Sequence, residues 1–144
     1  MRSRALLLVA MAAATLVAAP LPFPRPRKAD GQALQGEWVT VRQIWRGAEQ
    51  RDGDAVTVSV SGNRISFFMK GERRSVWDFR LDPTKSPKHM DLLEVGSKNA
   101  VLAVYQVKGD TLTFAYGSGR AAERPSDLEG KNPMVFVHEF KRKR

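Results

Sequence analysis

From residue 34 onward, apolar and polar residues alternate with a period of two, and turn residues interrupt the alternation at short intervals. Val56, Val58 and Val60, for example, fall on one face of a strand, with Thr57 and Ser59 on the other. This alternation is typical of half-buried β-strands, because successive side chains point to opposite faces of a sheet. The pattern therefore predicts a domain built of short strands.

Eight such segments are predicted, and each has one face with large apolar side chains. The segments are 37–44, 55–60, 64–70, 75–81, 88–95, 100–107, 111–116 and 134–140. The first places Trp38 and Ile44 on one face, and the last does the same for Met134, His138 and Phe140. Closing the sheet on itself buries these faces and removes exposed edges. We therefore predict an all-β fold, a small eight-stranded antiparallel up-and-down barrel, with a two-sheet sandwich as the alternative.

The N-terminal part of the chain is predicted to be an export signal followed by a spacer, and not part of the folded domain. Residues 1–19 are a predicted signal peptide, in which Arg2 and Arg4 precede an uncharged run rich in Ala, Leu and Val. Residues 20–33 contain PLPFPRPRK and are a predicted Pro/basic-rich spacer before the domain, residues 34–144. We expect the protein to be exported, either periplasmic or secreted. Since the chain has no cysteine, packing rather than disulfides must stabilise it.

The net charge of +9 is carried by the two ends of the chain. Nine of the 24 basic residues lie within residues 1–28 and 141–144, which leaves 15 basic residues against 15 acidic ones in the domain body. A nucleic-acid-binding domain carries its basic residues on the folded surface, so we expect no nucleic-acid partner. The basic ends are expected to make weak contacts with anionic surfaces.

The start of the first strand resembles the signature of lipocalin-type barrels. In LQGEW (34–38), Gly36 and Trp38 form a Gly-x-Trp pair. The resemblance implies that Trp38 plugs the closed end of the barrel. It also implies that a basic residue of the last strand, Lys141 or Arg142, covers that tryptophan.

Four blocks of the domain, taken in order, resemble an uncharacterised family of small lipocalin-like domains abundant in planctomycete bacteria. They are LQGEW, FRLDPTKSPKHMDL (79–92), AVYQVKGDTLTFAYG (103–117) and ERPSDL (123–128). The resemblance implies an exported or envelope-associated β-barrel whose activity is not established. The residues expected to form its structural signature are Gly36, Trp38, Asp82, Pro83, Pro87, Asp91, Arg124 and Pro125.

The segment LDPTKSPKHMDL (81–92) is the strongest candidate for catalytic or metal chemistry, because His89 and Asp91 share a face of the predicted strand. Zinc, however, takes three or four protein ligands, and the chain has only two histidines and no cysteine. We predict no metal, no cofactor and no enzymatic activity. Instead, Asp82 and Pro83 fit the first two positions of a type I turn, and Pro87 suits the first residue of a strand. We expect His89 and Asp91 to point outward.

The leading functional hypothesis is that the barrel binds a small apolar ligand without catalysis. The candidate ligand-binding residues are Trp77, Tyr105, Tyr116, Arg124 and His138. The alternative is a filled barrel that acts as a protein–protein interaction module in the cell envelope. A cavity of about 300 Å³ or more, with a few polar groups, is typical of binding sites for drug-sized ligands.

Overall fold

The computed structural model describes residues 29–51, 53–119 and 123–144. In these ranges a short helix, α1 (Asp30–Leu34), precedes a series of strands. The strands are β1 (Gly36–Trp45), β2 (Ala48–Glu49), β3 (Val56–Ser61), β4 (Arg64–Met69), β5 (Glu72–Asp82), β6 (Lys88–Glu94), β7 (Ala100–Lys108), β8 (Thr111–Gly117) and β9 (Val135–Arg142). The predicted signal peptide lies outside the described residues, as does the spacer up to residue 28, whereas residues 30–33 form most of α1. No helix in the described ranges is long and apolar enough to cross a membrane.

One antiparallel sheet contains all of these strands and closes into a barrel. The strand order is β2-β1-β3-β4-β5-β6-β7-β8-β9, and β1 also pairs with β9. Eight strands form the closed wall, and β2 only extends the end of β1 as a two-residue strand. The predicted eight-stranded antiparallel up-and-down barrel is therefore confirmed, and the two-sheet sandwich is wrong. Each predicted segment corresponds to one wall strand.

The barrel interior is packed with side chains over most of its length, and we call this packing the inner core. Every wall strand contributes to it. Its buried residues are Leu34, Trp38, Val58, Val60, Ile65, Met90, Leu92, Ala103, Tyr105, Leu112, Phe114 and Phe140. Trp77, Phe79, Leu81 and Tyr116 pack against them from partly buried positions. Burial of this apolar surface is the main stabilising term for a chain without disulfides.

A β-bulge in β1 reverses the faces that alternation predicts for the second half of that strand. The register against β9 shifts between Thr40 and Arg42, so that Val41 is an extra residue. Ile44 consequently pairs with Val137 on the outside of the wall instead of sharing the inner face with Trp38. The shared face predicted for Trp38 and Ile44 is therefore wrong, because one inserted residue inverts the period-two parity.

A second apolar cluster lies on the outside of the barrel, beneath the segment 123–134, which we call the outer strap. The buried members of this outer cluster are Ile44, Val104, Ala115, Val135 and Val137, and Leu128 of the strap packs on them. Gly130 brings the strap backbone close to the wall: a Cβ there would lie 2.9 Å from methyl groups of both Ile44 and Val137. The strap therefore seals an apolar outer surface that a simple barrel would expose.

The end of the barrel next to α1 is closed by Trp38 and Arg142. The Trp38 side chain is completely buried, and its Nε1 donates to the Leu34 carbonyl oxygen at 2.8 Å. The Arg142 guanidinium lies 4.1 Å from the Trp38 ring centroid and donates to the carbonyl oxygens of Ala33 and Gln35 at 2.6 and 2.5 Å. Of the two predicted cations, Arg142 thus covers Trp38. Gly36 has a φ of +112°, and a Cβ there would lie 3.2 Å from the Arg142 guanidinium.

Candidate functional site at the barrel mouth

The end of the barrel opposite α1 is open and holds a small cavity, which we call the mouth cavity. Its volume is about 160 Å³. Strands β4 to β8 contribute the lining residues, which are Phe67, Ser75, Trp77, Leu92, Val101, Phe114 and Tyr116. The rings of Phe114 and Tyr116 are stacked on one side, with centroids 5.8 Å apart. The mouth is therefore a concave, mostly aromatic surface at the end of the described barrel that lies opposite α1.

The cavity is smaller than the sites that take drug-sized molecules. Its volume of about 160 Å³ is roughly half of the 300 Å³ at which such sites begin. Leu92 and Phe114 belong both to the cavity lining and to the inner core, so the filled part of the barrel starts directly below. The mouth cavity is therefore shallow, with packed side chains directly below it.

Two polar groups face the mouth cavity, and both have a defined partner. Ser75 Oγ accepts a hydrogen bond from Trp77 Nε1 at 2.9 Å. The Tyr116 hydroxyl lies 3.4 Å from Nε2 of His138. Burial raises the pKa of Tyr116 to about 12, so its hydroxyl stays protonated near neutral pH.

His138 lies behind Tyr116, in the aromatic inner face of β9. Its ring stacks between those of Phe136 and Phe140, with centroids 6.3 and 5.7 Å away. The Nδ1 atom is buried and has no hydrogen-bond partner among the described residues. Burial lowers the pKa of His138 to about 4 because the charged imidazolium cannot be solvated there. The wall of the mouth is therefore neutral near pH 7.

Two of the five predicted ligand-binding residues line the mouth cavity, Trp77 and Tyr116. His138 contacts Tyr116 from behind, and the other two lie elsewhere. Tyr105 is buried near the closed end, where its hydroxyl donates to Asp30 at 2.7 Å. Arg124 lies at the start of the outer strap.

The hydrogen bonds of Tyr105 account for its position at the closed end. Asp30 of α1 accepts from the Tyr105 hydroxyl and from Lys88 Nζ, the latter at 2.6 Å. Burial alone would raise the pKa of Asp30, but these two hydrogen bonds outweigh it and hold the pKa below its usual value. Burial, and then the bond to Asp30, raise the pKa of Tyr105. The cluster ties α1 to β6 and β7, which is a structural role.

Arg124 connects the segment ERPSDL (123–128) to the segment FRLDPTKSPKHMDL (79–92). Its guanidinium donates to Asp91 Oδ1 at 2.5 Å and to the carbonyl oxygen of Ala103 at 2.6 Å. Asp91 therefore points outward, as expected, since its neighbours Met90 and Leu92 fill the inner core. His89 shares the outer face with Asp91 and pairs with Val104 of the outer cluster. These bonds anchor the start of the outer strap, next to the buried ring of Pro125.

The segment LDPTKSPKHMDL connects β5 to β6 as the turn chemistry predicts. Asp82 Oδ1 accepts from the backbone nitrogen of Thr84 at 3.1 Å and from its hydroxyl at 2.5 Å. These bonds from Thr84 lower the pKa of Asp82. Pro83 lies inside the turn, and Pro87, after a cis peptide bond, directly precedes β6. Asp82, Pro83 and Pro87 thus lie in the connection between the two strands.

The basic C-terminal tail is paired with the domain rather than free. Lys143 Nζ lies 3.1 Å from a Glu37 carboxylate oxygen. Arg144 lies 3.3 Å from Asp110, a carboxylate that also accepts from Arg142. Both ion pairs are solvent-exposed and contribute little to stability, and the contact of the tail with anionic surfaces stays a prediction.

The predicted ligand-binding residues leave out five residues of the mouth cavity, which are Phe67, Ser75, Leu92, Val101 and Phe114. Leu92 and Val101 carry no signal beyond ordinary alternation. Ser75 does carry one, since it is a hydroxyl on the same stripe as Trp77, Phe79 and Leu81. In the described ranges, no three His, Asp or Glu side chains converge in a way that could hold a metal ion.

Comparisons with protein-family models, curated proteins and solved structures found no match to this chain. A barrel fold hosts many unrelated activities, so the fold alone assigns no function. The chemistry of the mouth cavity is therefore the basis for a functional proposal.

Proposed function

We propose that the protein binds a small apolar ligand, about the size of one aromatic ring, in the mouth cavity. The observation that carries the proposal is an open cavity of about 160 Å³ with a mostly aromatic lining. An apolar protein cavity of about 150 Å³ is known to stay dry and to take up benzene. The size match favours a single ring over the larger ligands of hollow barrels.

The lining also suits a flat ring energetically. Stacked or edge-on aromatic pairs add about 0.5–1.5 kcal/mol beyond the burial of their area. Phe114 and Tyr116 present such faces, with Phe67 and Trp77 opposite them on β4 and β5. At roughly 0.6 kcal/mol per non-hydrogen atom, a ligand of seven or eight such atoms would bind with a Kd on the order of 0.1–1 mM.

The predicted signal peptide extends this proposal, because it would place the binding domain outside the cytoplasm. No catalytic step is part of the proposed activity. The ligand would be held and released without covalent change.

Titration with toluene, followed by chemical shifts of the Leu92 and Val101 methyl groups, tests the proposal. The expected result is saturable binding with a Kd on the order of 0.1–1 mM. Val101→Phe should abolish this binding, because the new ring occupies the cavity. Leu102→Phe is the matched control: Leu102 is the next residue of β7, faces outward and is 40% exposed, so binding should be unchanged.

Two results would contradict the proposal. One is the absence of saturation in the wild-type protein, and the other is toluene binding that survives Val101→Phe in a protein with an unchanged unfolding midpoint. Either result would favour the filled barrel that acts as an interaction module.

A further inference from the structure

Ser75 is a polar residue on an otherwise apolar inner stripe. It lies on β5 opposite Phe67 of β4 and two residues before Trp77, so that both side chains share the inner face. Its side chain is half-buried and lines the mouth cavity. A hydroxyl at such a position costs desolvation unless it makes hydrogen bonds.

The hydrogen bond between Ser75 and Trp77 has only one direction. An indole Nε1–H can only donate, so Ser75 Oγ must be the acceptor in the 2.9 Å contact. The hydroxyl proton of Ser75 is not used in this contact, and the Ser75 side chain makes no second hydrogen bond to another described residue. Accepting from Trp77 also polarises the hydroxyl and makes it a better donor. The mouth cavity therefore presents an O–H donor that is available to an acceptor on a ligand.

The described lining of the mouth cavity offers no charged side chain that could pair with an ionic ligand. None of the lining residues that the structure describes is charged. Tyr116 stays protonated, and His138 behind it stays neutral near pH 7, because burial moves the pKa values to about 12 and about 4. A charged ligand would lose its hydration here without gaining an ion pair, which is strongly unfavourable. The cavity thus disfavours carboxylates and amines.

We propose that the mouth cavity selects neutral single-ring aromatic molecules that carry one hydrogen-bond acceptor, such as aryl ketones, and that the Ser75 hydroxyl binds that acceptor. This inference rests on the proposed function, since it names the ligand class of the same cavity. The aromatic lining holds the ring, and Ser75 distinguishes such a ligand from a plain hydrocarbon of the same shape. A neutral hydrogen bond in this setting corresponds to an affinity difference on the order of three- to ten-fold.

Acetophenone and α-methylstyrene form a suitable pair of probes, because they differ only in a carbonyl oxygen replaced by a methylene group. Methyl chemical shifts of Leu92 and Val101 give both dissociation constants, and the measured quantity is their ratio. Using a ratio cancels changes in cavity size that affect both probes alike.

The variants must account for the indole of Trp77, which would become a free donor if Ser75 alone were removed. Trp77→Phe should therefore keep the preference for acetophenone, because the Ser75 hydroxyl remains. Adding Ser75→Ala to Trp77→Phe should reduce the preference about three- to ten-fold, with α-methylstyrene affinity within about two-fold. Ser66→Ala is the matched control, since Ser66 lies on the adjacent strand and faces outward between Ile65 and Phe67.

An acetophenone preference that survives the double variant would overturn the inference and leave the proposed function standing. If neither probe binds the wild-type protein in a saturable way, the proposed function itself fails. The two failures are therefore distinguishable in one set of titrations.

Discussion

Acidification from pH 7 to pH 5 should destabilise this protein chiefly through His138, because the carboxyl groups with lowered pKa values, such as Asp30 and Asp82, titrate at lower pH. The folded barrel keeps the imidazole neutral because burial lowers the pKa of His138 to about 4, against 6.5 for an ordinary histidine. The unfolded chain therefore binds a proton at a higher pH than the folded chain does. The stability associated with His138 is complete above pH 6.5 and is lost as the pH falls towards about 4.

The size of this effect follows from the lowered pKa. The difference between 6.5 and about 4 corresponds to about 3 kcal/mol, since each pKa unit is worth about 1.4 kcal/mol. At pH 5 about 2 kcal/mol of this should already be lost. That is a large share of the roughly 5–15 kcal/mol by which a domain is stable. The described side chains that stack on the imidazole are all aromatic. None of them is a carboxylate that could stabilise the imidazolium and so reduce the loss of stability.

Urea unfolding at pH 7, 6 and 5, followed by tryptophan fluorescence, measures this loss directly. His138→Phe should remove about 2 kcal/mol of the pH dependence between pH 7 and 5, because a phenyl ring fits the aromatic stack and does not titrate. His89→Gln, which removes the other histidine, should keep the wild-type dependence. If wild type and His138→Phe lose stability in parallel between pH 7 and 5, the reasoning is refuted.

Two further substitutions test the closed end and the outer strap by the same unfolding assay. Arg142→Ala should cost about 2–4 kcal/mol, because it removes the cation over Trp38 and two hydrogen bonds to backbone carbonyls; Arg144→Ala, at a side chain that is 90% exposed, should cost less than about 0.5 kcal/mol. Equal losses would contradict the role given to Arg142. Gly130→Ala should cost about 2–4 kcal/mol, because its φ of +71° and two contacts at 2.9 Å both oppose a Cβ. Gly62→Ala, with a similar φ of +62° but no atom within 4 Å, should cost only about 1 kcal/mol. A Gly130→Ala loss no larger than that of Gly62→Ala would rule out the contact argument.

Much of the barrel wall can be predicted from alternation alone, because each strand has a large apolar face that must be buried. The stripes of Val56 to Val60 and of Leu112 to Tyr116 point inward as expected. Alternation fails in β1, where the extra residue at Val41 moves Ile44 to the outer face. The sequence carries no mark of this bulge, because Ile44 and Trp45 are adjacent and both apolar, so that alternation does not show which of them faces inward.

The candidate site was predictable only in part. Trp77 and Tyr116 are large aromatic residues at alternating positions that face the barrel interior. Period-two alternation therefore predicts that their side chains point inward. The position of Tyr105 at the closed end depends on where β7 crosses the barrel, which one-dimensional periodicity does not show. Arg124 contacts Asp91 across 33 residues of sequence, a pairing that only the path of the outer strap creates.

The sequence by itself determined the eight wall strands and the turn at LDPTKSPKHMDL, because these follow from local chemistry: period-two burial, Asx capping and the fixed φ of proline. It left the closed barrel and the two-sheet sandwich as alternatives, and the long-range pairing of β1 with β9 decided between them. Tertiary structure alone decided how much of the barrel is empty. Cavity volume is the small difference between the space enclosed by eight strands and the side chains that fill it, and depends on register, bulge and side-chain packing together. The same packing leaves the Ser75 hydroxyl proton unpaired among the described residues and buries His138, which lowers the pKa of its imidazole to about 4.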